Sequence, residues 1–180
     1  MNNIFFTSDL HWDHNKIVDI CSRPVEVKDH NDWLIEIWNN TVSKKDIVYI
    51  LGDVSMASKE NTERKFLSKL NGTKHLILGN HDNNLRSSTY FESISQIKTF
   101  NSNIVDIDGI PMNIHIELCH YPMMSWNRSV HGSFHCFGHV HGRLEGRGLS
   151  IDVGLDAQKY IIPSLEEVLD QLTKKSINLM

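Results

Sequence analysis

Short apolar runs that end in small or polar residues predict buried strands in the first half of the chain. They occur at Ile4–Thr7, 47–51 and 75–78 and contain β-branched or aromatic residues. Segments of helical period lie between these strands, at 16–21, 32–42 and 60–70. Because strands and helices alternate, this half is expected to form βαβ units on a mainly parallel sheet.

Beyond residue 90 the pattern changes to closely spaced strand-like runs. They lie at 104–107, 114–119, 134–137 and 149–153, and an Asp-Gly pair at 108–109 predicts a hairpin turn. Ser164, followed by Glu166 and Glu167 and an apolar stripe, predicts the start of a closing helix. The second half is therefore expected to form a second, partly antiparallel sheet that packs on the first.

Composition narrows the class of protein. A chain of 180 residues fits one domain spanning 1–180. Because MNNIFFTSDL has no basic segment and no apolar run reaches 18 residues, a soluble protein without export is expected. The net charge of −4 and the lack of a basic run argue against long nucleic acid as a partner. Cys21, Cys119 and Cys136 are odd in number and widely spaced, which favours reduced core thiols in a cytoplasmic protein over disulfides or metal ligands.

Five strand ends carry groups that bind divalent cations. The first three strands run into Asp9 and His11, into Gly52-Asp53, and into Gly79-Asn80-His81-Asp82. The second half adds His120 and the run Gly138-His139-Val140-His141. The carboxyl ends of parallel strands meet at one edge of a sheet, and these oxygen and nitrogen donors suit Mn, Fe or Zn. A lone Asp after a strand usually forms a turn, so the indication of a metal site comes from the whole set.

These motifs, taken in order, resemble those of the calcineurin-like metallophosphoesterase superfamily, in particular its small bacterial and phage-type members. They are D-x-H at 9–11, G-D at 52–53, G-N-H-D at 79–82, His120, and G-H-x-H at 138–141, and they span most of the chain. The resemblance implies an α/β (α+β) fold, a four-layer sandwich of two central mixed β-sheets flanked by helices. It also implies a dinuclear metal site along one edge.

The resemblance further implies a role for each residue of the site. One metal is bound by Asp9, His11 and His141, the other by Asn80, His120 and His139, and Asp53 bridges the two. His81 is the implied general acid, and Asn80 also faces the substrate. Many relatives continue G-D with a further Asp that orients this His, whereas residues 54–56 here are Val-Ser-Met. The expected cofactors are two divalent ions, with Mn preferred and Fe, Zn, Ni or Mg as alternatives.

Other polar residues admit two interpretations. His14 either contacts the substrate or belongs to a helix cap with Asn15, and Arg128 either binds a phosphate oxygen or lies in a solvated loop. Asp152 and Asp156 either support a ligating His or form turns, and turn formation is preferred.

The predicted function is a metal-dependent phosphoesterase, with a phosphodiesterase favoured. A hydroxide bridging the two metals would attack a small phosphate ester or a nucleotide-derived substrate, with His81 as the acid. One alternative is a nuclease that acts on DNA or RNA ends. Another is a non-catalytic, metal-bound interaction scaffold, against which the presence of His81 beside all seven implied ligands argues.

Overall fold

Two four-stranded β-sheets make up the frame of the computed structural model, which describes residues 2–105 and 111–176. The first sheet has the order β1 (Ile4–Thr7), β2 (Ile47–Ile50), β3 (Thr73–Ile77) and β4 (Ser93–Ser95), and each neighbouring pair is parallel. The second has the order β5 (Ile97–Val105), β6 (Pro111–Cys119), β7 (Phe134–Phe137) and β8 (Ser150–Asp152). Its β5–β6 pair is antiparallel and its other pairs are parallel, so the second sheet is the mixed one.

The helices lie where the sequence predicts them, but their first and last residues differ from the predicted ones. They are α1 (Ile17–Ile20), α2 (His30–Thr41), α3 (Lys59–Lys65) and α4 (Leu165–Thr173). The predicted helix at 60–70 is split, because Phe66 leaves helical geometry and Leu67–Lys69 forms a separate 3₁₀ turn. Ser164 and Glu167 form a capping box at the start of α4, which confirms the predicted signature. Within the described ranges, no helix is both long and apolar enough to cross a bilayer.

The alternation of side chains along the strands divides the core into two layers. Phe5, Val48 and Leu76 point to the face of the first sheet that α2 covers with Leu34 and Trp38. The intervening strand residues fill the space between the sheets, where they meet β6, β7, β8 and α4; they are Phe6, Tyr49 and Ile77. Trp126 packs at the margin of this second layer, and its ring centroid lies 5.2 Å from that of His135.

Three features differ from the sequence prediction or lie beyond it. The strand β4 was not predicted, because Ile94 is its one apolar residue. The strand β5 begins at Ile97 rather than at 104, since Asn101, Ser102 and Asn103 interrupt its apolar pattern. The Asp-Gly pair at 108–109 lies outside the described residues, although the strands on either side of it pair as a hairpin requires.

Candidate metal centre

The loops after the strand ends are joined to one another by backbone hydrogen bonds. The Asp9 N–H donates to the Gly52 carbonyl at 3.0 Å, and the His11 N–H donates to the Asp53 carbonyl at 3.0 Å. From the second sheet, the N–H of Leu155, which follows Asp152 at the end of the last strand, donates to the carbonyl of Ser8, which follows the first strand, at 3.0 Å. The two sheets therefore present their polar loops at a common edge, and the predicted convergence of the motifs is confirmed.

Several of the polar residues at this edge have left-handed backbone conformations that are uncommon outside glycine. This geometry turns the chain sharply, so that two side chains of one short loop face the same space. The φ angles are 58° at Asp9, 53° at His11, 54° at Asp53, 72° at His139 and 52° at His141. Five of the seven proposed ligands share this conformation, and the inter-loop hydrogen bonds hold it.

Asp82 fixes the G-D and G-N-H-D loops relative to each other. Its buried carboxylate accepts from the N–H groups of Asp53, Val54 and Gly79 at 2.8, 2.9 and 2.8 Å. Gly52 allows the loops to approach, because its φ is 89° and a Cβ there would lie 2.6 Å from the Gly79 nitrogen. The sequence placed Asp82 in the motif without a role, and the structure shows that it organises the loop carrying Asp53.

One group of potential ligands consists of Asp9, His11 and His141. Their donor atoms all lie within 4.8 Å of one another, and Asp9 Oδ1 is 3.8 Å from both His11 Nε2 and His141 Nε2. Among the residues that the structure describes, Asp9 Oδ1 and His11 Nε2 are buried and lack a hydrogen-bond partner. An unpaired buried polar atom costs about 1–3 kcal/mol, so a cation that both atoms ligate fits this site.

A second group consists of Asp53, His120 and His139, whose donor atoms also lie within 4.8 Å of one another. Asp53 Oδ2 is 3.6 Å from His120 Nε2, and Asn80 Oδ1 is 3.1 Å from the same nitrogen. His120 Nδ1 lies 2.6 Å from the Leu51 carbonyl, which accepts its proton and leaves the Nε2 lone pair facing Asp53. This group presents two oxygens and two imidazoles to one space.

Asp53 joins the two groups through a single oxygen. Its Oδ2 lies 3.7 Å from His11 Nε2 in the first group and 3.6 Å from His120 Nε2 in the second. Its Oδ1 instead accepts the His81 N–H at 3.0 Å. A carboxylate oxygen shared in this way is suited to bridge two cations.

Burial sets the charge states of the first group. It raises the pKa of Asp9 to about 7 in the metal-free chain, and it lowers the pKa of His11 to about 2, with the neighbouring His141 adding to that shift. His11 is therefore neutral with a free lone pair, as a ligand requires. A bound cation would favour the ionised Asp9 carboxylate for the same electrostatic reason.

The structure revises the interpretation of the aspartates after β8. The side chain of Asp156 lies 2.7 Å from His141 Nδ1 and is held from its other side by Arg23, so turn formation was the wrong interpretation for it. Burial opposes its ionisation, but the hydrogen bonds from His141 and Arg23 outweigh that effect and lower the pKa of Asp156 to about 2. Asp152 does form a turn, accepting from Gly154 and Gly142 at 2.7 and 2.8 Å.

His81 lies at the open side of the centre. Its Nε2 is 3.9 Å from Asp53 Oδ2, and its side chain is 39% exposed. In the part of the chain that is described, its imidazole has no side-chain hydrogen-bond partner, consistent with the missing Asp after Asp53. The His14 ring is half-buried and 5.5 Å from the His11 ring, and α1 has no side-chain cap, so capping by Asn15 is wrong.

Arg128 and the three cysteines are not members of the two ligand groups. Arg128 Nη1 lies 3.1 Å from Nε2 of His115, on the strand β6 well before His120, so its described polar contact is outside the two ligand groups. Cys119 and Cys136 are buried, as predicted, whereas Cys21 is half-buried with its sulfur 3.4 Å from His141 Nδ1.

Two packed sheets with paired Asp and His groups at one edge define a candidate dinuclear centre of the metallophosphoesterase type. The family model for calcineurin-like phosphoesterases matches residues 3–130, and the chain belongs to that family. The gene 66 protein of Mycobacterium phage D29 is 31% identical in an alignment of 198 positions, gaps included, that covers 96% of each chain. An uncharacterised protein of Methanocaldococcus jannaschii is 44% identical over 84 residues, which cover 46% of this chain and 48% of that one.

A solved structure shares the fold. The protein of unknown function AQ665 from Aquifex aeolicus superposes with a TM-score of 0.68 at 22% identity, covering 96% of this chain and 100% of that one. The predicted fold class is confirmed, as is the resemblance to phage-type members of the family.

Proposed function

We propose that this chain is a metal-dependent phosphodiesterase acting on a small phosphate ester or a nucleotide-derived substrate. The observation that carries the proposal is the position of Asp53 Oδ2, which lies 3.7 Å from His11 Nε2 and 3.6 Å from His120 Nε2. One carboxylate oxygen shared between two groups of imidazole, carboxylate and amide donors is suited to a pair of divalent cations. The family to which the chain belongs supports the same reaction class.

The proposed ligands divide between the two cations. Asp9, His11 and His141 hold the first, Asn80, His120 and His139 hold the second, and Asp53 contributes to both. Mn is the preferred ion, with Fe, Zn, Ni or Mg as alternatives, because the donors are imidazole nitrogens and carboxylate or amide oxygens without thiolate. When bound, such a pair lowers the pKa of a coordinated water and neutralises phosphate oxygens. Three unpaired cysteines support a cytoplasmic location.

His81 is the proposed proton donor to the leaving oxygen. Its exposed imidazole stands beside Asp53, while its backbone N–H is anchored on the other Asp53 oxygen, so the ring projects over the space between the ligand groups. A diester expels an alkoxide or phenoxide that needs a proton, which is the step that such a group assists. Substrate contacts by His14 and Asn80 remain predictions that fit their positions beside His11 and His120.

The surroundings of the centre favour a substrate with two ester arms. Asn80, His81 and His139 are all exposed. The segment that follows His81 packs away from the centre, because its residues Leu85 and Phe91 are buried in the core on the side of the first sheet that α2 covers. Tyr121 lies with its ring centroid 4.9 Å from those of both His120 and His139 and is 44% exposed, so it forms one wall of an open cleft.

Diester preference tests the proposed substrate class. We expect the metal-stripped chain, reloaded with Mn, to hydrolyse bis(p-nitrophenyl) phosphate with a higher kcat/KM than p-nitrophenyl phosphate. The same assay with Mg, Zn and Ni identifies the preferred ion, and the stripped chain in a chelator serves as the control. A tenfold advantage for the monoester, about 1.4 kcal/mol, would contradict the assignment.

A further inference from the structure

Arg23 is the centre of a buried hydrogen-bond network behind the first ligand group. The residue is 4% exposed. Its guanidinium has five N–H donors, and each has an acceptor between 2.7 and 2.9 Å. The acceptors are both carboxylate oxygens of Asp156, the carbonyl oxygens of Asp9 and Leu10, and Nε2 of His30. A buried cation with every donor satisfied is held in one orientation.

The contacts of Arg23 lie on the side of the centre that holds the first ligand group. Its bonds to the Asp9 and Leu10 carbonyls hold the left-handed turn that places the Asp9 and His11 side chains in one space. Its two bonds to Asp156 hold the carboxylate that lies 2.7 Å from His141 Nδ1. That contact keeps a proton on Nδ1, so that Nε2, which lies 3.8 Å from Asp9 Oδ1, is the nitrogen that can ligate a cation.

The second ligand group is organised without Arg23. His120 is oriented by the Leu51 carbonyl, and the loop carrying Asp53 is held by Asp82. Among the described residues, none of the five acceptors of Arg23 belongs to the group of Asp53, His120 and His139. The direct contacts of Arg23 therefore reach the first group only. The two groups are joined beyond Arg23 by the His139 N–H, which donates to Asp9 Oδ2 at 2.8 Å, and by the His11 N–H, which donates to the Asp53 carbonyl at 3.0 Å.

We infer that Arg23 is a positioning residue for the first cation alone, so that a chain without its guanidinium binds the second cation and loses the first. The inference rests on the proposed ligand assignment. Charge by itself is insufficient for this role, because lysine offers three donors on one atom whereas the network uses five donors in a planar fork.

The test is the metal content of Arg23→Lys. After equilibration in a metal-buffered solution, elemental analysis should find about one Mn per chain in the variant and about two in the wild-type chain, since a supporting partner contributes ~10–100-fold to metal affinity. Arg143→Lys is the matched control, because Arg143 is an exposed arginine that bonds the Ile20 carbonyl at 3.2 Å, and it should hold two ions.

Double variants identify which cation is lost. Adding His139→Ala to Arg23→Lys should remove the remaining ion, whereas adding His11→Ala should change nothing further. Asp156→Asn is an independent test, because it weakens the contacts of residue 156 with Arg23 and His141 while the other acceptors of Arg23 stay in place. It should also lose the first ion, and its metal content replaces that of Arg23→Lys if Arg23→Lys does not fold. Thermal unfolding in a chelator checks that each variant is folded without metal.

Three outcomes overturn the inference. One is that Arg23→Lys holds two ions with wild-type affinity, and another is that it loses both together, which is what a merely structural role predicts. If the wild-type chain binds two ions, either of these outcomes overturns the inference without contradicting the proposed function. The third is a wild-type chain that holds no ions in the same buffer, and that result removes the proposed function together with the inference.

Discussion

Replacing Asp53 with asparagine should abolish metal binding at both positions and reduce phosphodiesterase activity to background. The Oδ2 atom that faces His11 and His120 carries the one negative charge shared by the two ligand groups. The asparagine side chain carries no charge and has only one oxygen. That oxygen cannot both face His11 and His120, as Oδ2 does, and accept the His81 N–H, as Oδ1 does. We expect metal affinity to fall by more than ~100-fold, since even outer-shell partners contribute ~10–100-fold.

Elemental analysis of Asp53→Asn after metal equilibration measures this effect directly. Asp13→Asn is the matched control, because Asp13 is an exposed aspartate close in sequence to His11 that also has a left-handed backbone, with a φ of 62°. It should hold as much metal as the wild-type chain. Full occupancy and full activity in Asp53→Asn would remove the bridging assignment.

Replacing His81 with alanine should leave metal content nearly unchanged while lowering kcat by ~10²–10⁴-fold, the contribution of a positioned general acid. His81 projects into the cleft from a loop whose backbone is held by Asp53, so its imidazole can be removed without disturbing the ligands. The decrease should be larger for a diester with an alkyl leaving group than for a p-nitrophenyl diester, because nitrophenolate leaves without a proton.

The comparison of leaving groups separates two roles of His81. Equal losses for the alkyl and nitrophenyl diesters would indicate that the imidazole stabilises phosphoryl charge instead of donating a proton. His131→Ala, which alters another exposed histidine in the 3₁₀ turn Ser129–His131, is the control and should match the wild-type chain. Loss of metal from His81→Ala, with activity recovered at high metal concentration, would make His81 a ligand.

Sequence reasoning succeeded where local pattern and strand order determine position. The strands β1, β2 and β3 are short apolar runs, and their parallel pairing brings Asp9, Asp53 and Asn80 to one edge irrespective of packing details. The start of α4 was equally predictable, because Ser164 and Glu167 are a local signal. Weakly apolar segments such as β4 were missed because they form strands through pairing with a neighbour.

The support of the centre could not be predicted from the sequence. Arg23 and Asp156 are 133 residues apart, and three of the five acceptors of Arg23 are either backbone carbonyls or an imidazole outside every motif. Asp82 was visible in G-N-H-D, yet its partners are backbone N–H groups that only the packed loops bring together. Such contacts depend on the tertiary structure, and the residue types alone carry no periodic signal for them.

The central claim is a centre that needs two cations for phosphodiester hydrolysis, and titration of the metal-free chain with Mn tests it most directly. Hydrolysis of bis(p-nitrophenyl) phosphate and bound Mn should be followed in the same samples. We predict that activity rises until about two equivalents are bound and then stays constant. Full activity at one bound equivalent, or no hydrolysis at two, would contradict the claim.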